Sequence, residues 1–274
     1  MVVPLKPLRL AKSRLAGAMG SALRPRLALA FAQDTVAAAL ACPAVRDVVV
    51  VTDDPTAGAE LAALGARVVP DAPAAGLNAA LAHGAAVVRA ADPRAPVAAL
   101  NADLPALRPA ELARVLGAAR AFPRAFLADA AGIGTTLLAA APGAELNPAF
   151  GGPSRARHLS SGAVEIPLTG VDSVRRDVDT GADLLAAAEL GLGPRTAARY
   201  ADRYAAGMQA TAYTYESETR SGSVLLDDGT PVEFDAPAFD AGGLRLLRPG
   251  QRVRIETEGE GPARRITLVT LQTF

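Results

Sequence analysis

The sequence predicts an α/β protein, with a mostly parallel sheet covered by helices on both faces and a small all-β OB-like barrel at the C-terminus. Three observations predict it. Up to about residue 193, short apolar β-type runs alternate with Ala/Leu-rich helical runs, as in a sheet buried on both faces. Beyond residue 208 the helical period disappears, and five short β-like runs are separated by Gly, Pro and Asp turns. Between these regions, Arg195, Arg199, Asp202 and Arg203 lie among alanines, the pattern of an exposed helix. The expected organisation is a first domain over 1–193, a linker helix over 194–207 and a β-barrel domain over 208–274.

In chain order, strands are expected at Val2–Leu5, Val45–Val51, Arg67–Val69, Pro96–Leu100, Ala125–Ala128, Thr135–Ala139 and Ala163–Ile166. The helical patterns between and after them are Leu23–Leu40, Ala57–Leu64, Leu77–Ala90, Pro109–Ala121 and Thr180–Leu190. Pro109 suits a first helical turn, where its missing N–H costs nothing. In the tail, Gln209–Tyr215, Gly222–Leu226, Thr230–Phe234, Arg252–Thr257 and Arg264–Thr270 are the β-like runs, and five strands in so short a span fit an OB barrel. No internal repeat interrupts either region.

Composition narrows the function classes. The 28 basic residues balance 28 acidic ones, so no nucleic-acid partner is expected from charge. Cys42 is the only cysteine, which leaves no intramolecular disulfide and no cysteine zinc site, and a cytoplasmic location is the natural expectation. No apolar stretch reaches the roughly 20 residues of a membrane span. Neither a Gly-x-x-x-x-Gly-Lys phosphate loop nor a Gly-x-Gly-x-x-Gly turn after a strand occurs, so kinase-type and dinucleotide-type readings lose their usual support.

In open parallel sheets, ligands bind beyond the carboxyl ends of the strands, and the polar motifs fall at those ends. In Pro96-Val-Ala-Ala-Leu-Asn-Ala-Asp-Leu-Pro105 an apolar strand runs into a polar tip, so Asp103 projects from the edge of a buried sheet. Mg²⁺ is its natural partner, because that ion takes carboxylate oxygens and keeps water and phosphates as its other ligands. The bland alternative is a helix cap after Pro105. A second acidic cluster, Arg175-Arg-Asp-Val-Asp-Thr-Gly-Ala-Asp183, puts Asp177 and Asp179 on one face of an extended segment. Asp179 or Thr180 could equally cap the following helix. One carboxylate from each segment can hold a single metal on a nucleoside triphosphate.

Near the start, a strand enters a loop carrying Lys6, Arg9, Lys12 and Arg14, suited to a triphosphate and its pyrophosphate leaving group or, more blandly, to a solvated surface. Asp53, at the end of a strand, and Asn78, at the start of a helix, are candidate nucleotide contacts. Asp129-Ala-Ala-Gly-Ile-Gly-Thr-Thr136 lets backbone and Thr135 approach a ligand, and Phe150-Gly-Gly-Pro-Ser-Arg-Ala-Arg-His158 offers Ser154 at a helix start with Arg155 and Arg157 nearby. The alternatives there are a plain turn and a capping serine. His83 reads as structural, and nothing pairs His158 with a nucleophile.

Assembled in order, Val-Pro-x-Lys…Ala-Lys-Ser-Arg-Leu, Asn-Ala-Asp-Leu-Pro, Gly-x-Gly-Thr-Thr, Phe-Gly…Ser-x-x-x-His and Asp-Val-Asp-Thr resemble the phospholactate and phosphoenolpyruvate guanylyltransferases of coenzyme F-420 biosynthesis, over residues 2 to about 196. The resemblance implies a GT-A-like nucleotidyltransferase fold and transfer of GMP from GTP, with Mg²⁺, to phosphoenolpyruvate or 2-phospho-L-lactate. It assigns acceptor contacts to Thr135, Gly151 and Ser154, and metal carboxylates to Asp103 and the Asp177–Asp179 pair, with Asp179 preferred. Together with the residues read directly from the sequence, the expected catalytic set is Asp103, Asp179 and Lys12, and Lys6, Lys12, Arg14, Asp53, Asn78 and Asp103 are the expected nucleotide contacts. A downstream enzyme receiving the labile product is an expected partner. Two departures stand out: the second glycine of Gly151-Gly152, and Asp-Thr-Gly-Ala-Asp in place of the commoner Asp-Thr-Pro-x-Asp.

The tail resembles cold-shock OB barrels, but Ser221-Gly-Ser-Val-Leu-Leu226 carries no aromatic platform and acidic residues outnumber basic ones over 208–274. Two rival functions remain: another nucleotidyltransferase, acting on molybdopterin or a sugar phosphate, and a non-catalytic RNA-binding regulator working through the tail.

Overall fold

The first seven strands alternate their side chains between two cores, one on each face of a single sheet. The structure, a computed structural model, describes residues 1–10, 16–72, 74–205, 208–258 and 265–271. Strands β1 (Val2–Pro4), β2 (Val49–Val51), β3 (Arg67–Val69), β4 (Val97–Leu100), β5 (Arg124–Ala128), β6 (Thr135–Ala140) and β7 (Val164–Glu165) form one sheet in the order β3-β2-β1-β4-β6-β5-β7. Only β6 runs antiparallel to its neighbours β4 and β5; β1, β2, β3 and β4 pair in parallel, as do β5 and β7.

The alternation fixes the layers. Val3, Val50, Leu100, Ala125 and Leu127 face a core built with helices α1 (Ala16–Leu40), α2 (Pro55–Ala63) and α4 (Pro109–Ala119). Val2, Val49, Val51, Ala99, Phe126 and Leu138 face a second core with Ala80, Leu81 and Ala85 of α3 (Leu77–Ala91). A β carbon at Gly84 of α3 would lie 2.4 Å from Val2 Cγ1 and 2.9 Å from Val51 Cγ2, so only glycine lets this helix approach the sheet so closely. Further α-helices among the described residues are α5 (Ser154–Ser160), α6 (Asp172–Arg175), α7 (Gly181–Leu190) and α8 (Pro194–Ala205).

Most expected elements form with bounds shifted by a few residues. The strand expected from Val45 begins only at Val49, because Val45 N–H donates to Cys42 O at 2.9 Å and closes a turn first. The helix expected from Leu23 begins at Ala16 and carries Pro25 inside it. The one-turn helix α6 had no visible period.

The chain divides by contacts into two compact units, 1–14 with 22–199 and 15–21 with 200–274. In the second, β8 (Met208–Glu216), β9 (Ser221–Leu226), β10 (Pro231–Phe234), β11 (Arg252–Glu258) and β12 (Arg265–Leu271) form an antiparallel sheet of order β10-β9-β8-β11-β12. A helix absent from the sequence reading, α9 (Ala236–Ala241), joins β10 to β11; Asp235 caps it through a 3.1 Å bond from Ala238 N–H. Its core includes Val224, Phe234, Phe239, Val253, Ile255 and Val269. Tyr215 stacks on Phe239 with ring centroids 4.9 Å apart, while Tyr213 is exposed. The two tyrosines therefore do not form a common stacking surface.

Candidate active site

The carboxyl edge of the first sheet opens into a cleft of about 670 Å³. Its walls bring together residues that the sequence scatters over more than 170 positions. Lys6 follows β1, and Asn101 and Asp103 follow β4. Asp177 and Asp179 come from the segment before α7. The same cleft is lined by Thr135 at the start of β6, Gly151 in the following loop and Ser154 at the start of α5. Asp129 also lines the cleft; its carboxylate accepts from the N–H groups of Ile133 at 2.9 Å and Gly134 at 2.8 Å and so shapes the turn leading to Thr135.

The tip that carries Asp103 is fixed by its backbone. Asn101 N–H donates to Thr136 O at 3.0 Å, continuing the ladder past the end of β4. Leu104 N–H donates at 3.0 Å to the hydroxyl of Thr35, a fully buried residue of α1, and that hydroxyl donates to Phe31 O at 2.7 Å. The helix-cap alternative for Asp103 falls away, because α4 begins at Pro109 after Arg108.

The second acidic segment is joined to this tip directly. Val178 N–H donates to Asp103 O at 3.1 Å, and Val178 is fully buried while its neighbours Asp177 and Asp179 both line the cleft. This is the two-residue alternation of an extended segment. Thr180 caps α7 in a reciprocal box with Asp183, whose carboxylate also accepts from the N–H groups of Asp179 at 3.2 Å and Thr180 at 2.8 Å. The cap is therefore not Asp179. Among the described residues, no group of three or more His, Cys, Asp or Glu side chains gathers to hold an ion. The donor set facing the cleft is oxygen-only and carboxylate-based, which suits a hard ion such as Mg²⁺ that draws its remaining ligands from water and phosphate.

Another part of the lining comes from the loop before α5. Gly151 and Gly152 have φ of +92° and +49°, in the left-handed region that side chains other than glycine avoid. Three side chains hold the loop. Asn78 accepts from Phe150 N–H at 2.7 Å and donates to Phe150 O at 3.2 Å; Arg157 donates to Ala149 O at 3.2 Å and to Phe150 O at 3.3 Å; His158 accepts from Ala149 N–H at 3.0 Å. Ser154 is buried at the first position of α5 and makes no capping bond, so the capping-serine alternative also fails.

Two nucleotide candidates lie outside the cleft lining. Asp53 is exposed at the end of β2 and accepts from Asp71 N–H at 2.9 Å, while its neighbour Asp54 caps α2 and accepts from Leu8 N–H at 2.8 Å. Asn78 is engaged with Phe150 as described. Lys12 and Arg14 lie outside the described residues. Sequence reasoning missed Thr35, Asp129 and the structural use of His158; a threonine inside an Ala/Leu-rich helix carries no local sign of a partner 69 residues away.

A mostly parallel sheet with one reversed strand, opening at its carboxyl edge onto carboxylates, a lysine and a glycine loop, suits nucleotidyl transfer, and the proteins this chain matches make it a nucleotidyltransferase. The family described as guanylyl transferase CofC like matches residues 1–191. A phosphoenolpyruvate guanylyltransferase of Streptomyces coelicolor is 75% identical over 198 residues, covering 72% of this chain and 93% of that protein. Another, from Frankia casuarinae, is 43% identical over 291 residues, covering 96% of this chain and 93% of its own, so its match extends into the second unit. A solved Desulfovibrio desulfuricans protein named for nucleotide-diphospho-sugar transfer shares the fold, with a TM-score of 0.53 at 16% identity over 74% of this chain and 94% of that one. This chain belongs to the CofC-like guanylyl transferase family, and it is a guanylyltransferase. No described helix is long and apolar enough to cross a membrane.

Proposed function

We propose that this guanylyltransferase transfers GMP from GTP to phosphoenolpyruvate, releasing pyrophosphate and forming enolpyruvyl-2-diphospho-5'-guanosine for coenzyme F-420 biosynthesis. The observation that carries the reading is the convergence in one cleft of Lys6, Asp103, Asp177 and Asp179 with Thr135, Gly151 and Ser154. The Streptomyces and Frankia relatives support phosphoenolpyruvate as acceptor through their names. 2-Phospho-L-lactate is the second acceptor reading.

A phosphate oxygen of the acceptor attacks the α-phosphorus of GTP, and the bond from that phosphorus to the bridging oxygen breaks as pyrophosphate leaves. A phosphate monoester is already a competent nucleophile, so positioning and charge neutralisation suffice and no strong base is required. Lys6, with Lys12 and Arg14, binds the triphosphate. Asp53 and Asn78 belong to the nucleotide side, Asn78 also bracing the Phe150 loop. Thr135, the Gly151 backbone and Ser154 hold the acceptor. Asp103 with one carboxylate of the second segment, Asp179 first and Asp177 otherwise, would hold Mg²⁺, which supplies neutralisation of the triphosphate charge when bound.

Residues 1–193 form the catalytic domain in this proposal, 194–207 a linking helix and 208–274 a second domain. The strand order of that second domain, the helix α9 between β10 and β11, and the approach of β10 to β12 support an OB-type barrel. A cytoplasmic location accords with the single, free and buried thiol of Cys42. The protein's partner is the next enzyme, which takes up the labile product.

Mass spectrometry of products from GTP, Mg²⁺ and either phosphoenolpyruvate or 2-phospho-L-lactate tests the acceptor. Asp103→Asn tests the metal role: turnover should fall by about a thousandfold, roughly 4 kcal/mol, with the fold retained. Undiminished pyrophosphate release from that variant would refute the assignment.

A further inference from the structure

His158 is fully buried, and both of its ring nitrogens are engaged. Nε2 lies 3.0 Å from the backbone nitrogen of Ala149, whose N–H can only donate, so Nε2 carries a lone pair. A neutral imidazole has one N–H, which must then sit on Nδ1. Nδ1 is 2.9 Å from Thr135 Oγ1, so the ring donates and the threonine hydroxyl accepts. That hydroxyl keeps its own proton for another acceptor, and Thr135 lines the cleft. Phe126 and Phe150 pack on the imidazole with centroids at 5.6 and 5.2 Å, excluding other polar partners from its faces.

We propose that His158 is a positioning residue for the acceptor substrate: its Nδ1–H makes the Thr135 hydroxyl an obligate hydrogen-bond donor toward an anionic oxygen of the acceptor, while its Nε2 fixes the start of the Gly151 loop. The inference rests on the proposed placement of the acceptor beside Thr135. One ring thereby sets the polarity of one acceptor contact and the position of another. Burial, and then the nearby cations of Arg124 and Arg157, lower the pKa of His158 to about 4, so the neutral form persists across the physiological range.

The tautomer can be read directly. The chain has only two histidines, so long-range ¹H–¹⁵N spectra of the labelled full-length protein, assigned with His83→Gln, resolve His158. An Nδ1–H tautomer is expected; an Nε2–H tautomer or a charged ring at neutral pH overturns the proposal. In kinetics, His158→Phe should raise KM for phosphoenolpyruvate roughly tenfold, the loss of about one hydrogen bond, with KM for GTP changed less than about twofold. Thr135→Val should raise KM for phosphoenolpyruvate less, because it leaves the bond from Ala149 N–H to His158 Nε2 in place, and the double variant should be no worse than His158→Phe, in which the Thr135 contact is already lost. His158→Asn, which can restore donation to Thr135 but not acceptance from Ala149 N–H, should recover the part of the affinity owed to the Thr135 contact. Multiplying effects, or an equal rise in KM for GTP, would overturn the proposal. If the wild-type protein releases no pyrophosphate from GTP and phosphoenolpyruvate, the functional reading fails instead, and the tautomer still decides the polarity of the hydroxyl.

Discussion

Thr35→Val isolates the contact that ties helix α1 to the acidic tip. Valine matches threonine in shape and keeps the γ-methyl group, so the substitution removes only the hydroxyl. That hydroxyl accepts from Leu104 N–H at 3.0 Å and donates to Phe31 O at 2.7 Å, with Ala102 O at 3.3 Å. Phe31 O lies within α1 and retains its helical partner, so the principal loss is a buried, orphaned N–H at Leu104. Such a group costs about 1–3 kcal/mol. For a region of this size that corresponds to a melting-point drop of roughly 2–4 °C per kcal/mol. The functional effect should be larger than the loss of stability suggests, because a shift of about 1 Å in a positioned group can cost on the order of a hundredfold in rate. Pyrophosphate release measured across a Mg²⁺ titration should therefore show a lower kcat and a higher Mg²⁺ requirement, while Thr35→Ser, which keeps the hydroxyl, stays close to wild type. A destabilised Thr35→Val enzyme with unchanged kcat and Mg²⁺ dependence would show that the tip does not rely on this bond.

Thr180→Ala removes half of the capping box with Asp183 and should cost about 1 kcal/mol; because Asp183 also holds Asp179 N–H, the half-saturating Mg²⁺ concentration should rise too, and a melting shift with no change in Mg²⁺ response would confine the box to stability. The lowered pKa of His158, about 4 against 6.5, predicts acid lability. Above pH 6.5 the group is neutral in both folded and unfolded chains and contributes nothing; as pH falls from 6.5 towards 4 the unfolded chain takes up a proton that the folded one refuses, and stability drops. Urea unfolding at pH 7 and pH 5 should differ by about 2 kcal/mol from this source. The difference should vanish in His158→Phe; a slope that persists there would assign the lability to other groups.

Local pattern carried much of this structure. Arg67–Val69 reads as a strand and is one, and the apolar run ending in Asn101-Ala-Asp103 places a carboxylate at the sheet edge without tertiary information. The alternation of Asp177, Val178 and Asp179 likewise predicted which side chains line the cleft and which is buried. Legibility failed where a competing local interaction or a distant partner decided the outcome. Val45 looks like the start of a strand, yet a turn hydrogen bond to Cys42 delays it. The helical pattern becomes legible only from Leu23, but the helix begins at Ala16 and runs through Pro25. The β-like reading of the tail contained no helix at Ala236-Pro-Ala-Phe239, where the proline occupies a first helical turn behind the Asp235 cap. His158 offered no nucleophile to activate, and its use became visible only when β6 and the Ala149 backbone met at its two nitrogens.

Asp103→Asn and Thr35→Val probe the same tip from opposite directions. The tip is positioned by backbone bonds, from Leu104 N–H to Thr35 and from Val178 N–H to Asp103 O, and both involve atoms that Asp103→Asn leaves in place. That variant therefore changes the charge with those tethers intact, whereas Thr35→Val keeps the charge and loosens a tether. If charge carries the function, Asp103→Asn should be the more damaging by a wide margin, and excess Mg²⁺ should rescue Thr35→Val but not Asp103→Asn. If both variants lose activity equally and neither responds to Mg²⁺, the tip matters for its shape alone, and the metal assignment to Asp103 is wrong.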